Sequence, residues 1–191
     1  MDYDGDEHPF TNADRNSIII VDNQVFCAKV LRINYTTYDV RRDQDSMNPR
    51  TLCNVMVQSC ETEKDHHPFW YARVLGVFHA RVLHVGPRSQ NKSVQTMEFL
   101  WVRWFGLSQE YRTAKSKTTR LPQIGFVPDS DPSAFGFLDP SLVIRGCHLV
   151  PAFAHGRTSE LLRAVNTVAR PVGETDDWTY FYVMMYVLLM G

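Results

Sequence analysis

The sequence has few cysteines and nothing that resembles a secretory leader. Its 191 residues include four cysteines at irregular spacing, Cys27, Cys53, Cys60 and Cys147. Secreted domains held together by disulfides carry denser and more regular cysteines. The first ten residues, MDYDGDEHPF, are acidic and lack the apolar stretch of a signal peptide. We therefore expect reduced thiols in an intracellular protein.

Short catalytic motifs are also missing. The chain contains no G-x-S-x-G, no P-loop and no H-E-x-x-H motif. The pairs Asp43/Asp45 and Asp129/Asp131 could serve as carboxylates for metal-assisted nucleic-acid cleavage. Both pairs lie in turn-forming contexts, however, where aspartate is favoured for local hydrogen bonds. The sequence therefore favours a protein that is not an enzyme and takes no cofactor and no small-molecule substrate.

Four residues could be assembled into a zinc site on residue type alone: Cys53, Cys60, His66 and His67. Their spacing matches no tight metal-binding knuckle. Adjacent histidines also project in different directions from an extended chain. The sequence therefore predicts no metal site here.

No apolar run is long enough to cross a membrane. The run at residues 179–191, TYFYVMMYVLLMG, falls short of the roughly 20 residues that a spanning helix needs. A final core strand is the favoured interpretation, and a truncated or frame-shifted end is the alternative. We expect no association with a membrane.

The residues that are present indicate a β-rich globular chain. Aromatic residues make up 12% and hydrophobic residues 44% of the sequence, which suits a packed core. Alternating or apolar runs predict strands at 17–21, 25–38, 52–58, 70–85, 98–105 and 142–150, with Asp22 and Asn23 forming a tight turn between the first two. Residues 39–51 and 86–95 are polar and predict loops. In 70–85, alternation places Trp70, Ala72, Val74, Phe78 and Val82 on one face, and Gly76 is a natural bulge point.

A late helix is predicted at residues 159–170, SELLRAVNTVAR. Leu161, Leu162, Val165 and Val168 form an apolar stripe at helical spacing, Thr158 or Ser159 can cap the first turn, and Pro171 ends it. A single helical turn is also expected where Asp139 precedes Pro140.

Residues 97–106, MEFLWVRWFG, combine two tryptophans with one arginine. Period two places Trp101 and Arg103 on one face of a strand and Trp104 on the other. Arg103 must then reach the strand's edge or meet a carboxylate, because an unpaired buried guanidinium is very costly. Asp139 or an acid of the N-terminal segment is the expected partner.

Aromatic residues near the strand ends provide one candidate binding site. Trp70, Tyr71 and Trp104 could form a cage for a cationic group, since the face of an aromatic ring attracts a quaternary ammonium. Stacking of nucleic-acid bases on the same rings is a second possibility. Plain core packing is the alternative to both, because tryptophans in β-rich proteins are mostly buried.

Basic residues in the middle of the chain provide another candidate site. Residues 66–120 contain nine lysines and arginines against two glutamates, although the whole chain has a net charge of −1. This pattern is compatible with an anionic partner. The alternative is a solvated face that the acidic N-terminal residues neutralise. The candidate binding residues are Arg88, Lys92, Arg112, Lys115, Lys117 and Arg120.

Several long motifs resemble one family of mobile elements. The stretches YTTYDVRRDQDSMNPRT, HPFWYARVLGVFHA, LWVRWFG, AFGFLDPSLVIRGCHLVPAF and the DDW near residue 178 look like the C-terminal region of fungal Plavaka-type transposases, which are related to the Kyakuja–Dileera–Zisupton elements. The resemblance runs from about Ile18 to Tyr182. It implies an accessory domain without the catalytic carboxylates, which lie upstream in that family. The family's polar continuation is replaced here by MMYVLLMG, which suggests a truncated or decayed copy.

A shorter resemblance points to a fold. The order WYARVLGVF, FLWVRWFG and VIRGCHLV is similar to the bromo-adjacent homology (BAH) domain, with Arg73, residues 102–105, Ile144, Gly146 and Cys147 in the family's motif positions. This resemblance implies a β-rich, barrel-like chromatin-interaction module related to SH3-like barrels. The family's cage residues do not map cleanly onto this chain, so the ligand stays open.

Together these observations predict a single mostly-β, barrel-like domain with long loops and one late helix. Residues 1–16 are expected to be an acidic extension, 17–155 the BAH-like domain, and 156–191 a C-terminal helix and apolar tail. The resemblances imply a non-catalytic nuclear module that helps a transposase-derived protein to engage chromatin proteins or DNA. Direct nucleic-acid binding through the basic residues, and a structural domain that docks only on its own upstream region, are the alternatives.

Overall fold

The computed structural model describes residues 11–36, 42–50, 53–61, 67–87, 89–113, 121–165 and 167–184. These residues are mostly β-strand, as the sequence predicts. Two short helices are present, α1 (Asn12–Asn16) and α2 (Gln109–Thr113), together with single 3₁₀ turns at Pro140–Leu142 and Phe153–His155. The strands are β1 (Ile18–Ala28), β2 (Leu31–Thr36), β3 (Arg42–Met47), β4 (Asn54–Gln58), β5 (Phe69–His84), β6 (Gln95–Leu107), β7 (Gln123–Phe126), β8 (Phe135–Leu138), β9 (Val143–Gly146), β10 (His148–Pro151), β11 (Arg157–Thr158), β12 (Asp177–Trp178) and β13 (Phe181–Met184).

Two long antiparallel strands, β5 and β6, organise the main sheet. The order across the sheet is β10-β13-β7-β6-β5-β4-β9, while β1 pairs with the far half of β5 and β8 pairs with β6. Separate two-stranded sheets are formed by β2 with β3 and by β11 with β12. Among the described strands, the path ends at β10 and β9 and does not close into a barrel.

The sheet divides the core into two parts. Tyr71 and Phe105 pack on one face of β5 and β6, where Phe126 and Phe181 complete an aromatic cluster. The other cluster lies on the opposite face and contains Leu31, Ile33, Met47, Val55, Val57, Ala72, Val74, Val77, Leu100, Val102, Leu138 and Val143. Alternation along β5 and β6 therefore supplies apolar side chains to both clusters.

The predicted bulge at Gly76 is confirmed, and it changes which side chains share a face. The pairing of β5 with β6 shifts register between Val74 and Gly76. A side chain at position 76 would collide with the ring of Phe78. Beyond an extra residue the alternation reverses. The prediction that Phe78 and Val82 share the face of Trp70 and Val74 is therefore wrong, because Phe78 lies on the opposite side.

Three local predictions are corrected in the first half of the chain and near its end. Residues 18–21 and 25–28 belong to one bulged strand, β1, and not to two strands of a hairpin. Asp22 and Asn23 do have the positive φ angles of turn residues (59° and 51°), but they lie in the bulge of β1, where the pairing with β5 shifts register between Ile20 and Val25. Part of the predicted loop 39–51 forms β3, an exposed strand that pairs with β2. The predicted strand 142–150 is divided into β9 and β10 at Cys147.

The predicted helix at 159–170 is wrong. Its described residues form turns and irregular structure after β11, and Val165 and Val168 are exposed rather than packed. The reason lies in the backbone carbonyls, which a helix would use internally. The Leu161 carbonyl accepts from Arg103, and those of Leu162 and Ala164 accept from Arg170. Buried guanidinium groups therefore take the acceptors that the helix would need.

Two predictions near the end of the chain are confirmed. Asp139 accepts a hydrogen bond from the Ser141 amide at 2.8 Å and caps the 3₁₀ turn that begins at Pro140. Residues 181–184 form β13, a strand of the main sheet with Phe181 and Val183 buried. Residues 185–191 of the apolar tail lie outside the described part of the chain.

Gly125 and Gly106 face each other across β6 and β7 and provide a matched pair of substitutions. A Cβ atom on Gly125 would lie 2.7 Å from the backbone oxygen of Thr179, whereas one on Gly106 would meet only Val127, at 3.8 Å. We expect Gly125→Ala to lower the free energy of unfolding by about 1–3 kcal/mol through overpacking. Gly106→Ala should change it by less, as measured by urea denaturation. Equal effects of the two substitutions would contradict this packing.

Candidate functional site

The structure brings together two of the three residues predicted to form an aromatic cage. The rings of Trp70 and Trp104 meet edge to face at 6.2 Å, and both are partly buried against the core cluster around Val74. Tyr71 lies on the opposite face of β5, where it is 2% exposed and its hydroxyl is 2.8 Å from the His67 ring. The structure therefore does not bring the three rings together at one place, because neighbouring residues of a strand point in opposite directions.

The predicted basic surface is only partly described. Lys92 and Arg112 are exposed, Arg112 on the short helix α2. Arg88, Lys115, Lys117 and Arg120 lie outside the described residues. Two further arginines from the basic middle of the sequence, Arg73 and Arg103, point into the protein. The cationic excess of residues 66–120 is therefore not wholly on the surface.

Arg103 occupies the centre of a buried ionic cluster. It is 0% exposed and donates from both terminal nitrogens to the Asp177 carboxylate, at 3.2 and 3.1 Å. Arg170 donates to the same carboxylate at 3.1 Å. The prediction that Arg103 meets a carboxylate is confirmed, but the expected partners, Asp139 or an N-terminal acid, are wrong. We call these three residues the Arg103 cluster.

An aromatic ring completes the surroundings of Arg103. Its guanidinium lies 3.8 Å from the centre of the Phe126 ring, on the side of the sheet that carries Phe105. Burial lowers the pKa of Arg103, whereas the hydrogen bonds and charge of Asp177 raise it. The ion pairs with Asp177 and the cation–π contact with Phe126 thus offset part of the free-energy cost of burying these charges. Through these contacts Arg103 ties Leu161 and Asp177 to β6.

Sequence reasoning missed Asp177 and Arg170. Asp177 is 74 residues from Arg103, so no local pattern connects the two. Its only signal is the DDW stretch, which places an acidic residue beside a tryptophan just before an apolar strand. Arg170 was assigned to the end of a helix that does not form.

Other acidic residues accept hydrogen bonds that hold turns and neighbouring segments in place. Asp131 accepts from the amide and hydroxyl of Ser133, as its turn context predicts, and these bonds lower its pKa. Asp129 accepts from the backbone and side chain of Arg163, which lowers its pKa as well. Asp45 lies on β3 and accepts from the Gly146 amide at 3.0 Å. No group of three or more histidine, cysteine, aspartate or glutamate residues in the described ranges could hold a metal ion.

A large apolar surface lies on the far half of the β5–β6 pair. Residues that pair across antiparallel strands point to the same face. Register therefore aligns Val25 with Ala80 and Met97, and Cys27 with Phe78 and Phe99. We call this surface the outer face, and its apolar members are Ile18, Ile20, Val25, Cys27, Phe78, Ala80, Val82, Met97, Phe99 and Phe137. The same register places the polar side chains of His84 and Gln95 at its margin. None of these side chains is charged.

Aromatic rings form a ladder across the outer face. Phe78 stacks on Phe99 at 5.6 Å, and Phe137 meets the edge of Phe99 at 5.6 Å. Phe137 is 73% exposed, Met97 50% and Val25 49%. Contiguous apolar surface of this kind on a globular protein marks an interaction site more often than isolated exposed residues do.

The outer face ends at an open strand edge. β1 is eleven residues long and pairs with β5 on one side, while no described strand pairs with its other side. Its side chains are exposed along almost the whole length, and Ile19 and Phe26 leave apolar surface on the reverse face as well. An edge strand of this length and composition is a template for pairing with another chain.

The thiols differ sharply in environment. Cys27 and Cys60 are exposed, whereas Cys53 is partly buried and Cys147 is buried. Burial raises the pKa of Cys53, and it raises that of Cys147 to about 12. Both thiols are therefore protonated at neutral pH and poor nucleophiles.

Comparison of the chain with protein-family models, with curated proteins and with solved structures finds no match. In the described residues, no helix is long and apolar enough to span a lipid bilayer.

The Arg103 cluster generates a prediction about stability. Asp177→Asn removes the only carboxylate that both buried guanidiniums share, and we expect a loss of about 3–5 kcal/mol in the free energy of unfolding. Arg103→Leu should cost less, because Arg170 still pairs with Asp177. Chemical denaturation of both variants measures the difference, with Arg163→Leu, whose side chain is 75% exposed, as the control. A larger loss in Arg103→Leu than in Asp177→Asn would refute the shared-carboxylate account.

The cysteine environments generate a second prediction. Under native conditions at pH 8, iodoacetamide should modify Cys27 and Cys60 quickly and Cys147 only after unfolding, as peptide mass spectrometry can show. The raised pKa also has a consequence for stability. Because folding favours the protonated Cys147 thiol, its contribution is fully present below pH 9 and is lost as the pH rises toward 12. Native labelling of Cys147 as fast as Cys27 would show that this side chain is not buried.

Proposed function

We propose that this chain is a non-catalytic, protein-binding module and that the outer face, with the open edge of β1, is its binding surface. The observation that supports this proposal best is the uncharged, aromatic character of the outer face beside an edge of β1 with which no described strand pairs. An extended segment of a partner could add a strand to β1 and place alternate side chains against Phe78, Phe99 and Phe137. Main-chain hydrogen bonds would supply affinity and the rings specificity.

The chemistry of the outer face favours protein over nucleic acid as its partner. Nucleic-acid affinity depends on lysines and arginines that neutralise phosphates. The outer face has no such residues, and Arg81, which lies on the reverse face of β5, forms an ion pair with Asp22 at 3.8 Å. Interface cores, in contrast, are depleted of charge and enriched in aromatic residues and methionine. Phe137 and Met97 fit that pattern.

The class of partner comes from the two resemblances. Both the Plavaka-type and the BAH-like motifs imply a nuclear, intracellular setting, and the second implies a chromatin protein as ligand. We therefore propose a BAH-like accessory module of a transposase-derived protein that engages chromatin proteins. Lys92 and Arg112 are exposed and available for an additional contact with DNA.

Binding of the full chain to immobilised nucleosome core particles, measured at two ionic strengths, tests this proposal. We expect Phe137→Lys and Val25→Lys to weaken binding by about tenfold or more, because a desolvated apolar contact is replaced by a charge. Val172→Lys is the matched control, since this valine is fully exposed outside the outer face. Melting temperatures of the three variants should stay close to that of the parent chain.

Bare duplex DNA in the same assay separates the alternative. Binding that falls steeply with salt, is equal for DNA and nucleosomes and is unchanged in Phe137→Lys would replace our proposal with direct nucleic-acid binding. Absence of binding to both probes would reject the chromatin assignment.

A further inference from the structure

Arg73 lies in an aromatic recess at the other end of the sheet. Its guanidinium carbon is 4.7 Å from the centre of the Phe126 ring and 5.9 Å from those of Phe105 and Phe181. The side chain as a whole keeps partial exposure, whereas the guanidinium is surrounded by protein on most sides. Three rings therefore form the walls around one cationic group.

The guanidinium of Arg73 is largely unpaired. Its Nε donates to the Asn54 side-chain oxygen at 3.3 Å. Its two terminal nitrogens have no hydrogen-bond or ion-pair partner among the described residues. Arg103, its neighbour across β5 and β6, differs in this respect because Asp177 accepts from both of its terminal nitrogens. A buried cation without its own carboxylate is costly.

Charges around the recess do not balance. Arg73 lies in electrostatic range of Arg103, which in turn lies in range of Arg170. Among the described residues, Asp177 is the one carboxylate that accepts hydrogen bonds from any of these three guanidiniums, so two positive charges are left over. Asp129 and Glu174 already pair with Arg163 and Arg157. Arg73 therefore receives only distant compensation, while burial lowers its pKa.

We propose that the Arg73 recess is a binding site for a single carboxylate group of a peptide. The two free terminal nitrogens of a guanidinium match the two oxygens of a carboxylate. Asn54 accepts a hydrogen bond from Nε and so orients the fork. The buried rings of Phe105, Phe126 and Phe181 support the guanidinium from the protein side. This site lies apart from the outer face and does not depend on binding there.

A carboxylate fits this recess better than a phosphate does. The walls are aromatic, and a phosphate dianion loses more hydration in such surroundings than a monoanion does. One free guanidinium can neutralise a single negative charge. Phosphate-binding sites add further free basic groups, whereas the arginines nearest to Arg73, Arg103 and Arg170, already donate to Asp177.

The test is a side-chain NMR titration of the full chain, with the Arg73 Nε–Hε resonance as the readout. One probe is acetyl-Ala-Ala-Ala with a free C-terminal carboxylate, and another is acetyl-Ala-Glu-Ala-amide with a side-chain carboxylate. The neutral control is acetyl-Ala-Ala-Ala-amide. We expect a saturable shift with at least one acidic peptide, half-complete at millimolar concentration as befits one small contact, and none with the neutral peptide. The acidic probe that binds more tightly identifies the source of the carboxylate.

The substitution Arg73→Lys tests whether binding needs the guanidinium group. It keeps the charge but loses the fork, so we expect binding at least about tenfold weaker. If that variant does not fold, the comparison of acidic and neutral peptides on the parent chain decides the matter. Absence of a saturable shift with either acidic peptide, or tighter binding of inorganic phosphate than of both, would overturn the proposal.

Discussion

The buried interaction of Arg103 and Arg170 with Asp177 connects the main sheet to the last part of the described chain. Arg103 projects from the middle of β6, whereas Asp177 begins β12, far along the chain. Breaking such a pair by removing one partner leaves uncompensated charge in the interior, which is far more costly than losing a surface ion pair. The cluster therefore ties Leu161 and Asp177 to β6, a few residues before β13 pairs with β7. It also explains why this segment is not a helix, since its carbonyl groups accept from guanidiniums.

The part of the sheet around Arg103 is covered by packed side chains, whereas the far halves of β5 and β6 expose an apolar surface. The far halves of β5 and β6 carry Phe78, Phe99 and Met97 beyond the bulge at Gly76, and β1 adds an edge with which no described strand pairs. One extra residue at the bulge decides this outcome, because it turns Phe78 away from the core cluster around Val74 and onto the outer face. The same sheet thus has an ion-rich, packed end and an apolar, exposed end. The proposed binding functions follow from this division.

Alternation was sufficient to predict β4, β5, β6 and the mostly-β class, because a half-buried strand repeats every two residues. Local capping chemistry was sufficient for the turn at Asp139. Sequence patterns failed where the decisive contact is distant in sequence. The apolar residues within 159–170 have helical spacing, but backbone carbonyls of that segment accept hydrogen bonds from Arg103 and Arg170. Sequence patterns also failed for β3, whose exposed polar residues resemble a loop. Trp70, Tyr71 and Trp104 do not lie at one site, since consecutive residues of a strand face opposite sides. The outer face depends on the register between β1, β5 and β6, which the sequence alone does not reveal.

Native-state hydrogen exchange tests the central claim most directly, because it reports opening of each segment separately. If the Arg103 cluster ties the C-terminal residues to the sheet, the amides of β12 and β13, including Val183, which donates to the Pro122 carbonyl, should exchange only in the opening that also exposes β5 and β6. Exchange of β12 and β13 by a separate low-energy opening, while β5 and β6 stay protected, would contradict the account.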